Sequence, residues 1–132
     1  MVKRYIKESG SEVIDNTIDK ATDILVSALT HIETISAFRR LLAEEKICEV
    51  DYEKLKSELN KDFKDFTILP VSQKTLNKAY QIVDAEDLRK LDAIQLANAI
   101  LYSKKIDQLV AADQRLLSAA ENNNIDTIDP LK

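Results

Sequence analysis

The sequence has few of the residues that build metal cages, crosslinks and tight turns. Its 132 residues include one cysteine, one histidine, one glycine, two prolines and no tryptophan. The single Cys48 cannot close an internal disulfide, and the single His31 excludes a multi-histidine zinc site. Any metal is therefore expected to be held by oxygen ligands. The scarcity of glycine and proline favours a chain dominated by helices.

Long apolar runs and an excess of basic residues are also absent. The chain is 45% hydrophobic and 32% charged, a composition typical of globular proteins. Residues 1–8, Met-Val-Lys-Arg-Tyr-Ile-Lys-Glu, are too charged for a secretory signal, so we expect a soluble, cytoplasmic protein with no membrane association. A net charge of −4 argues against nucleic-acid binding by bulk electrostatics. It leaves open a nuclease whose divalent ions bring positive charge to the phosphate.

Short apolar runs alternate with helical patterns over a length that fits a single domain, residues 1–132. The spacing of apolar residues predicts helices over 2–8, 11–21, 31–46, 52–66, 72–83, 88–101 and 114–121. Compact apolar runs predict strands at 23–28, 67–71, 108–112 and 126–128. This alternation predicts a helix-rich α/β fold with a parallel sheet, whose ligand crevice lies at the carboxyl ends of the strands.

Asp92 is the most informative acidic residue because it lies in the otherwise apolar, alanine-rich helical stretch 88–101. An isolated buried charge is too costly to persist, so this carboxylate must be ion-paired, capped, neutralised or bound to a cation. The structural alternative is an acid in the first helical turn, where the helix dipole favours negative charge.

Glu33 and Asp113 are the other two acids expected near the crevice. Glu33 falls in the first turn of a predicted helix, where it could instead form a capping box with Thr30. Asp113 directly follows the predicted strand 108–112, where it could instead be the N-cap of the next helix. Taken singly, each acid has an adequate structural explanation.

One hypothesis accounts for all three acids together. Carboxylates that converge from different elements repel each other unless a cation neutralises them. Mg²⁺ or Mn²⁺ suits Glu33, Asp92 and Asp113 as ligands, because hard ions prefer carboxylate oxygens and keep water molecules in their coordination shell. Such an ion can activate water for phosphodiester hydrolysis.

Four segments, in order along the chain, carry a resemblance to a known family. They are 2–12, 27–40, Leu-Asp-Ala-Ile-Gln-Leu-Ala at 91–97, and Leu-Val-Ala-Ala-Asp-Gln-Arg-Leu-Leu at 109–117. The chain resembles PIN-domain proteins, and is most similar to the ribonuclease toxins of VapBC-type toxin-antitoxin pairs. The resemblance implies a three-layer α/β/α sandwich with a central parallel sheet. It also implies Mg²⁺- or Mn²⁺-dependent cleavage of RNA, a cognate antitoxin protein and a homodimer.

By the same resemblance, Glu33, Asp92 and Asp113 match the second, third and fourth acidic positions of the family's metal site. The family's usual first strand and its terminal Asp would precede Met1, so a domain that is short at its N-terminus is expected. Two explanations compete: a start at an internal Met of a longer product, which we prefer, or a natural variant with an incomplete site. The second leads to an alternative function, a PIN-like scaffold that binds a partner or RNA without catalysis.

Overall fold

A computed structural model describes all 132 residues, with helices and short strands alternating along the chain. The helices are α1 (Ser11–Lys20), α2 (Thr30–Ala43), α3 (Glu49–Phe63), α4 (Gln73–Ala85), α5 (Lys90–Leu101) and α6 (Gln114–Asn122). The strands are β1 (Leu25–Ser27), β2 (Thr67–Leu69), β3 (Leu109–Val110) and β4 (Thr127–Ile128). Single 3₁₀ turns occur at Val2–Arg4 and Ser103–Lys105. None of the helices is both long and apolar enough to span a membrane.

The chain forms two compact units, Met1–Ile68 and Leu69–Lys132. In the first unit, α2 packs against α3 around a core of Phe38, Leu55 and Leu59. Phe38 is completely buried, and the ring of Tyr5 meets it edge-on at 5.7 Å between centroids. The amphipathic pattern of α2 and α3 therefore does what helical spacing predicts: it directs one apolar face of each helix inward.

A small polar network ties the N-terminal segment to α3. Arg4 Nε and Tyr5 Oη both donate hydrogen bonds to Asp62 Oδ2, at 2.9 and 2.7 Å. Burial alone would raise the pKa of the Asp62 carboxyl, but these two hydrogen bonds, together with the positive charges of Arg4 and Lys61, outweigh it and lower the pKa. Burial and the bond to Asp62 raise the pKa of the Tyr5 hydroxyl. The network therefore stabilises the ionised form of Asp62.

The second unit is built around α5. Ala93, Leu96 and Ala97 on this helix are completely buried, and the two small alanine side chains allow α4 and α6 to pack closely against it. β3 pairs with β4 in parallel register, with Leu109 opposite Thr127 and Val110 opposite Ile128. The helix-rich α/β class is thereby confirmed. The strands pair two by two, β1 with β2 and β3 with β4.

The structure corrects the sequence-based boundaries near the N-terminus. Residues 2–8 were expected to form a helix, but only Val2–Arg4 makes a single 3₁₀ turn. So short a segment gains too few backbone hydrogen bonds to offset the cost of helix nucleation. The side chains of Arg4 and Tyr5 bond to Asp62 on α3. Gly10, with φ of 90°, then supplies the left-handed residue from which α1 begins.

The third helix also begins earlier than its apolar pattern indicates. The spacing predicted a start at residue 52, whereas α3 begins at Glu49. Cys48 is extended at the N-cap position, and its backbone N–H donates to Asp51 Oδ2 at 3.4 Å. This local contact adds a turn of helix that carries no apolar periodicity, and for that reason the pattern missed it.

Candidate functional site

Two of the three predicted site acids, Asp92 and Asp113, line one cleft in the second unit. The cleft has a volume of about 340 Å³ and is completed by Leu88, Arg89 and Arg115. Asp92 comes from the first turn of α5, and Asp113 from the residue immediately before α6. Carboxylates from two different elements therefore face one small space.

Asp92 lies at the edge of the buried face of α5. Its side chain is 15% exposed, and the next residue, Ala93, is completely buried. The carboxylate is not isolated, because Oδ2 accepts a hydrogen bond from Arg89 Nε at 3.2 Å. The requirement that this charge be compensated is thus met by an ion pair within the first turn, which also matches the structural alternative.

Asp113 uses its two carboxylate oxygens differently. Oδ1 accepts hydrogen bonds from the backbone N–H groups of Arg115 and Leu116, at 2.9 and 3.1 Å. Asp113 is therefore the N-cap of α6, and the structural alternative for this residue is confirmed. Oδ2 lies 3.6 Å from Arg89 Nη2 and lines the cleft, so capping leaves one oxygen available to a cation.

Arg89 is the residue of this site that sequence reasoning missed. In the structure its guanidinium contacts both Asp92 and Asp113, although the side chain is 77% exposed. The spacing of three residues between Arg89 and Asp92 across a helix start was the available signal for the first contact. Nothing in the local pattern indicated the second contact.

Glu33, the third predicted acid, belongs to the first unit and lies in the first turn of α2. The capping box with Thr30 does not form, because α2 already begins at Thr30 and its N-cap is Leu29. The Glu33 side chain is half-buried, with Oε1 enclosed. Burial lowers the pKa of the Met1 amino group and the charge of Glu33 opposes that shift, so the amino group and the carboxylate are electrostatic neighbours.

Neither unit by itself groups three or more His, Cys, Asp or Glu side chains in a way that could hold a metal ion. The pair of Asp92 and Asp113 nevertheless fits a hard divalent cation. Mg²⁺ is commonly bound through one or two carboxylates, with water and substrate phosphate oxygens as its other ligands. The position between the two carboxylates already attracts positive charge, since the Arg89 guanidinium occupies it.

A comparison with known families relates this geometry to other proteins. The family model for the PIN domain matches residues 5–122, a span that includes Glu33, Asp92 and Asp113. A search of curated proteins finds no match. Because the family model covers most of the chain and the fold is of the helix-rich α/β class, the chain belongs to the PIN domain family.

Proposed function

We propose that this protein is a metal-dependent endoribonuclease that hydrolyses RNA phosphodiester bonds with Mg²⁺ or Mn²⁺. One observation carries the proposal: Asp92 and Asp113 line a single cleft together with Arg89 and Arg115. Members of the PIN family are generally nucleases, and a cleft with carboxylates and guanidinium groups suits a cation and a phosphate side by side.

The residues of the cleft have distinct tasks in this proposal. A bound divalent ion supplies an activated water and stabilises charge on the departing oxygen. Asp92 and Oδ2 of Asp113 would hold the ion, and the N-cap bonds to Oδ1 fix the Asp113 carboxylate in one orientation. The arginines at the cleft provide planar donors suited to phosphate oxygens. Glu33 is proposed as a further ligand because, in the resemblance drawn from the sequence, it matches the family's second acidic position.

The finer biological role follows from the resemblance to the ribonuclease toxins. We propose a cytoplasmic toxin restrained by a cognate antitoxin protein and acting as a homodimer. The helices near residues 2–20 and 30–46 are the candidate surfaces for the dimer, and of these α2 exposes Ile32 to solvent. Light scattering coupled to size-exclusion chromatography tests the dimer, since a monomeric mass across the accessible concentration range would contradict it.

The nuclease proposal is tested by cleavage of fluorescently labelled single-stranded and structured RNA with Mg²⁺ or Mn²⁺, with EDTA as the reversal. Asp92→Asn should lower the cleavage rate by more than tenfold. Substitution of residues that only hydrogen-bond to metal ligands already lowers metal affinity or activity about 10- to 100-fold, and Asp92 is proposed as a ligand itself. Asp84→Asn, at an exposed position near the end of α4, is the matched control and should cleave like the parent. Equal rates for Asp92→Asn and the parent would refute the assignment.

The alternative function is a PIN-like scaffold that binds a partner or RNA without catalysis. It is favoured by one observation, that Arg89 already pairs with both Asp92 and Asp113. Calorimetric titration with Mn²⁺ separates the two functions. Tight uptake that depends on Asp92 supports the nuclease, whereas RNA binding without metal uptake supports the scaffold.

A further inference from the structure

The guanidinium of Arg89 spans the two acids of the cleft. Its Nε lies 3.2 Å from Asp92 Oδ2, and its Nη2 lies 3.6 Å from Asp113 Oδ2. Arginine can do this because its donors are arranged in a rigid planar fork, which lysine lacks. Arg89 contacts Oδ2 of each acid, and in Asp113 this is the oxygen that does not cap α6. One side-chain cation therefore occupies the place between the two proposed metal ligands.

Arg89 and the two acids that it contacts differ in total charge and in exposure to solvent. One guanidinium compensates only one of the two carboxylates, whereas a divalent cation compensates both. The Arg89 side chain is 77% exposed, while Asp92 is 15% exposed. Arginine can therefore return to water at little cost, since exposed ion pairs contribute little. The Asp92 carboxylate cannot turn out into water in the same way, and a half-buried carboxylate without a counter-charge destabilises the fold.

We infer that Arg89 is the resident counter-cation of Asp92 and Asp113, and that a divalent ion binds this pair only by displacing the Arg89 guanidinium. The inference rests on the proposed function, because it takes Asp92 and Asp113 as metal ligands. It assigns Arg89 as a positioning residue that keeps the two carboxylates in place before the metal arrives and lowers the apparent metal affinity. Metal binding and the Arg89 contacts are thus mutually exclusive.

A purely structural role for Arg89 makes the opposite prediction. If Arg89 only orients Asp92 at the start of α5, its removal disorders the ligand and weakens metal binding. If Arg89 competes with the metal, its removal strengthens metal binding. The sign of the change in Mn²⁺ affinity therefore distinguishes the two roles without any measurement of RNA cleavage.

The experiment is calorimetric titration of the full chain with MnCl₂, with Mn²⁺ electron paramagnetic resonance as a second measure of free ion. Arg89→Gln should bind Mn²⁺ about three- to tenfold more tightly than the parent, the range expected when two weak, partly exposed ion pairs no longer compete. Arg89→Lys, which keeps the charge but loses the fork, should fall between them. Lys90→Gln removes the same charge from the neighbouring exposed residue and should stay within about twofold of the parent.

Asp92→Asn, in the parent and in the Arg89→Gln background, separates failure of this inference from failure of the proposed function. If Asp92→Asn binds Mn²⁺ as tightly as the parent, the proposed metal site is wrong. If the parent binds Mn²⁺ through Asp92 but Arg89→Gln binds no more tightly, the counter-cation role is wrong and the metal site stands. If no variant binds Mn²⁺, both are overturned.

Discussion

Asp113 holds the start of α6 with one oxygen and lines the cleft with the other, and two substitutions separate these roles. Asp113→Asn keeps a side-chain oxygen that can accept the backbone N–H groups of Arg115 and Leu116, but it removes the negative charge. Asp113→Ala removes both the acceptor and the charge. Stability should therefore follow the acceptor, while metal affinity should follow the charge.

The expected magnitudes follow from the contacts of Asp113. Loss of a side-chain N-cap to alanine costs about 1 kcal/mol of unfolding free energy, whereas asparagine is about as good a cap as aspartate. For a chain of this size, 1 kcal/mol corresponds to a fall of roughly 4 °C in Tm. The contact with Arg89 is long and exposed, so its loss adds little to either variant. Asp113→Asn should unfold close to the parent, and Asp113→Ala clearly below it.

Urea unfolding followed by far-ultraviolet circular dichroism gives the stabilities, and calorimetric titration gives the Mn²⁺ affinity. Ser72→Ala is the matched control, since Ser72 caps α4 by accepting from Thr75 N at 3.2 Å and lies outside the cleft. It should lose stability as Asp113→Ala does, yet bind Mn²⁺ like the parent. An asparagine variant as unstable as the alanine variant would refute the capping argument. Unchanged Mn²⁺ affinity in both would remove Asp113 from the metal site.

Three further outcomes follow from the fold. Phe38→Ala should cost about 3–5 kcal/mol in urea unfolding, because the ring is completely buried; an effect below 1 kcal/mol would contradict its core position. The pKa of Asp62 in the folded protein lies below its ordinary value, because Arg4 bonds to the carboxylate. The ionised carboxylate therefore stabilises the fold fully when the pH is above the ordinary pKa, and this stabilisation is lost as the pH falls through the lowered pKa. Asp62→Asn should therefore have a lower free energy of unfolding than the parent at neutral pH, and the difference should shrink below about pH 4. Urea unfolding from pH 7 to pH 2 measures it, and a difference that does not change with pH would contradict the argument. Thr75→Val should cost about 1–3 kcal/mol, since it leaves Asn98 Oδ1 buried without its 3.1 Å donor, and a neutral result would show that this bond is dispensable.

Much of the fold could be predicted because local patterns determine it. Ser72 was expected to begin a helix, and its hydroxyl does cap α4. The short strands ending near Ser27 and Val110 were found from compact apolar runs between polar residues. These features depend on neighbours in sequence, so a linear pattern contains the information that fixes them.

Boundary errors had larger consequences for the site than for the fold. Thr30 was expected to cap α2, but Leu29 is the N-cap and its backbone N–H donates to Ser27 Oγ at 3.2 Å. A shift of one residue moves Thr30 into the helix and leaves Glu33 without the capping role that competed with function. Hydroxyl positions alone could not show which of Ser27 and Thr30 would bond at this helix start, because both residue types suit the task.

The charge balance around Asp92 could not be predicted for a different reason. Sequence analysis set a structural role for each acid against a metal site shared by all of them. For Asp92 and Asp113 the structural role is realised: one is an ion-paired acid in a first turn and the other is an N-cap. Neither role uses all the acceptors of its carboxylate, and the remaining oxygens meet at Arg89. A structural role and a metal-binding role are therefore compatible in the same residue. In the proposed function, the Arg89 guanidinium and a divalent cation compete for the same two oxygens. These oxygens lie close together because α6 packs beside α5, and no local sequence pattern encodes that packing.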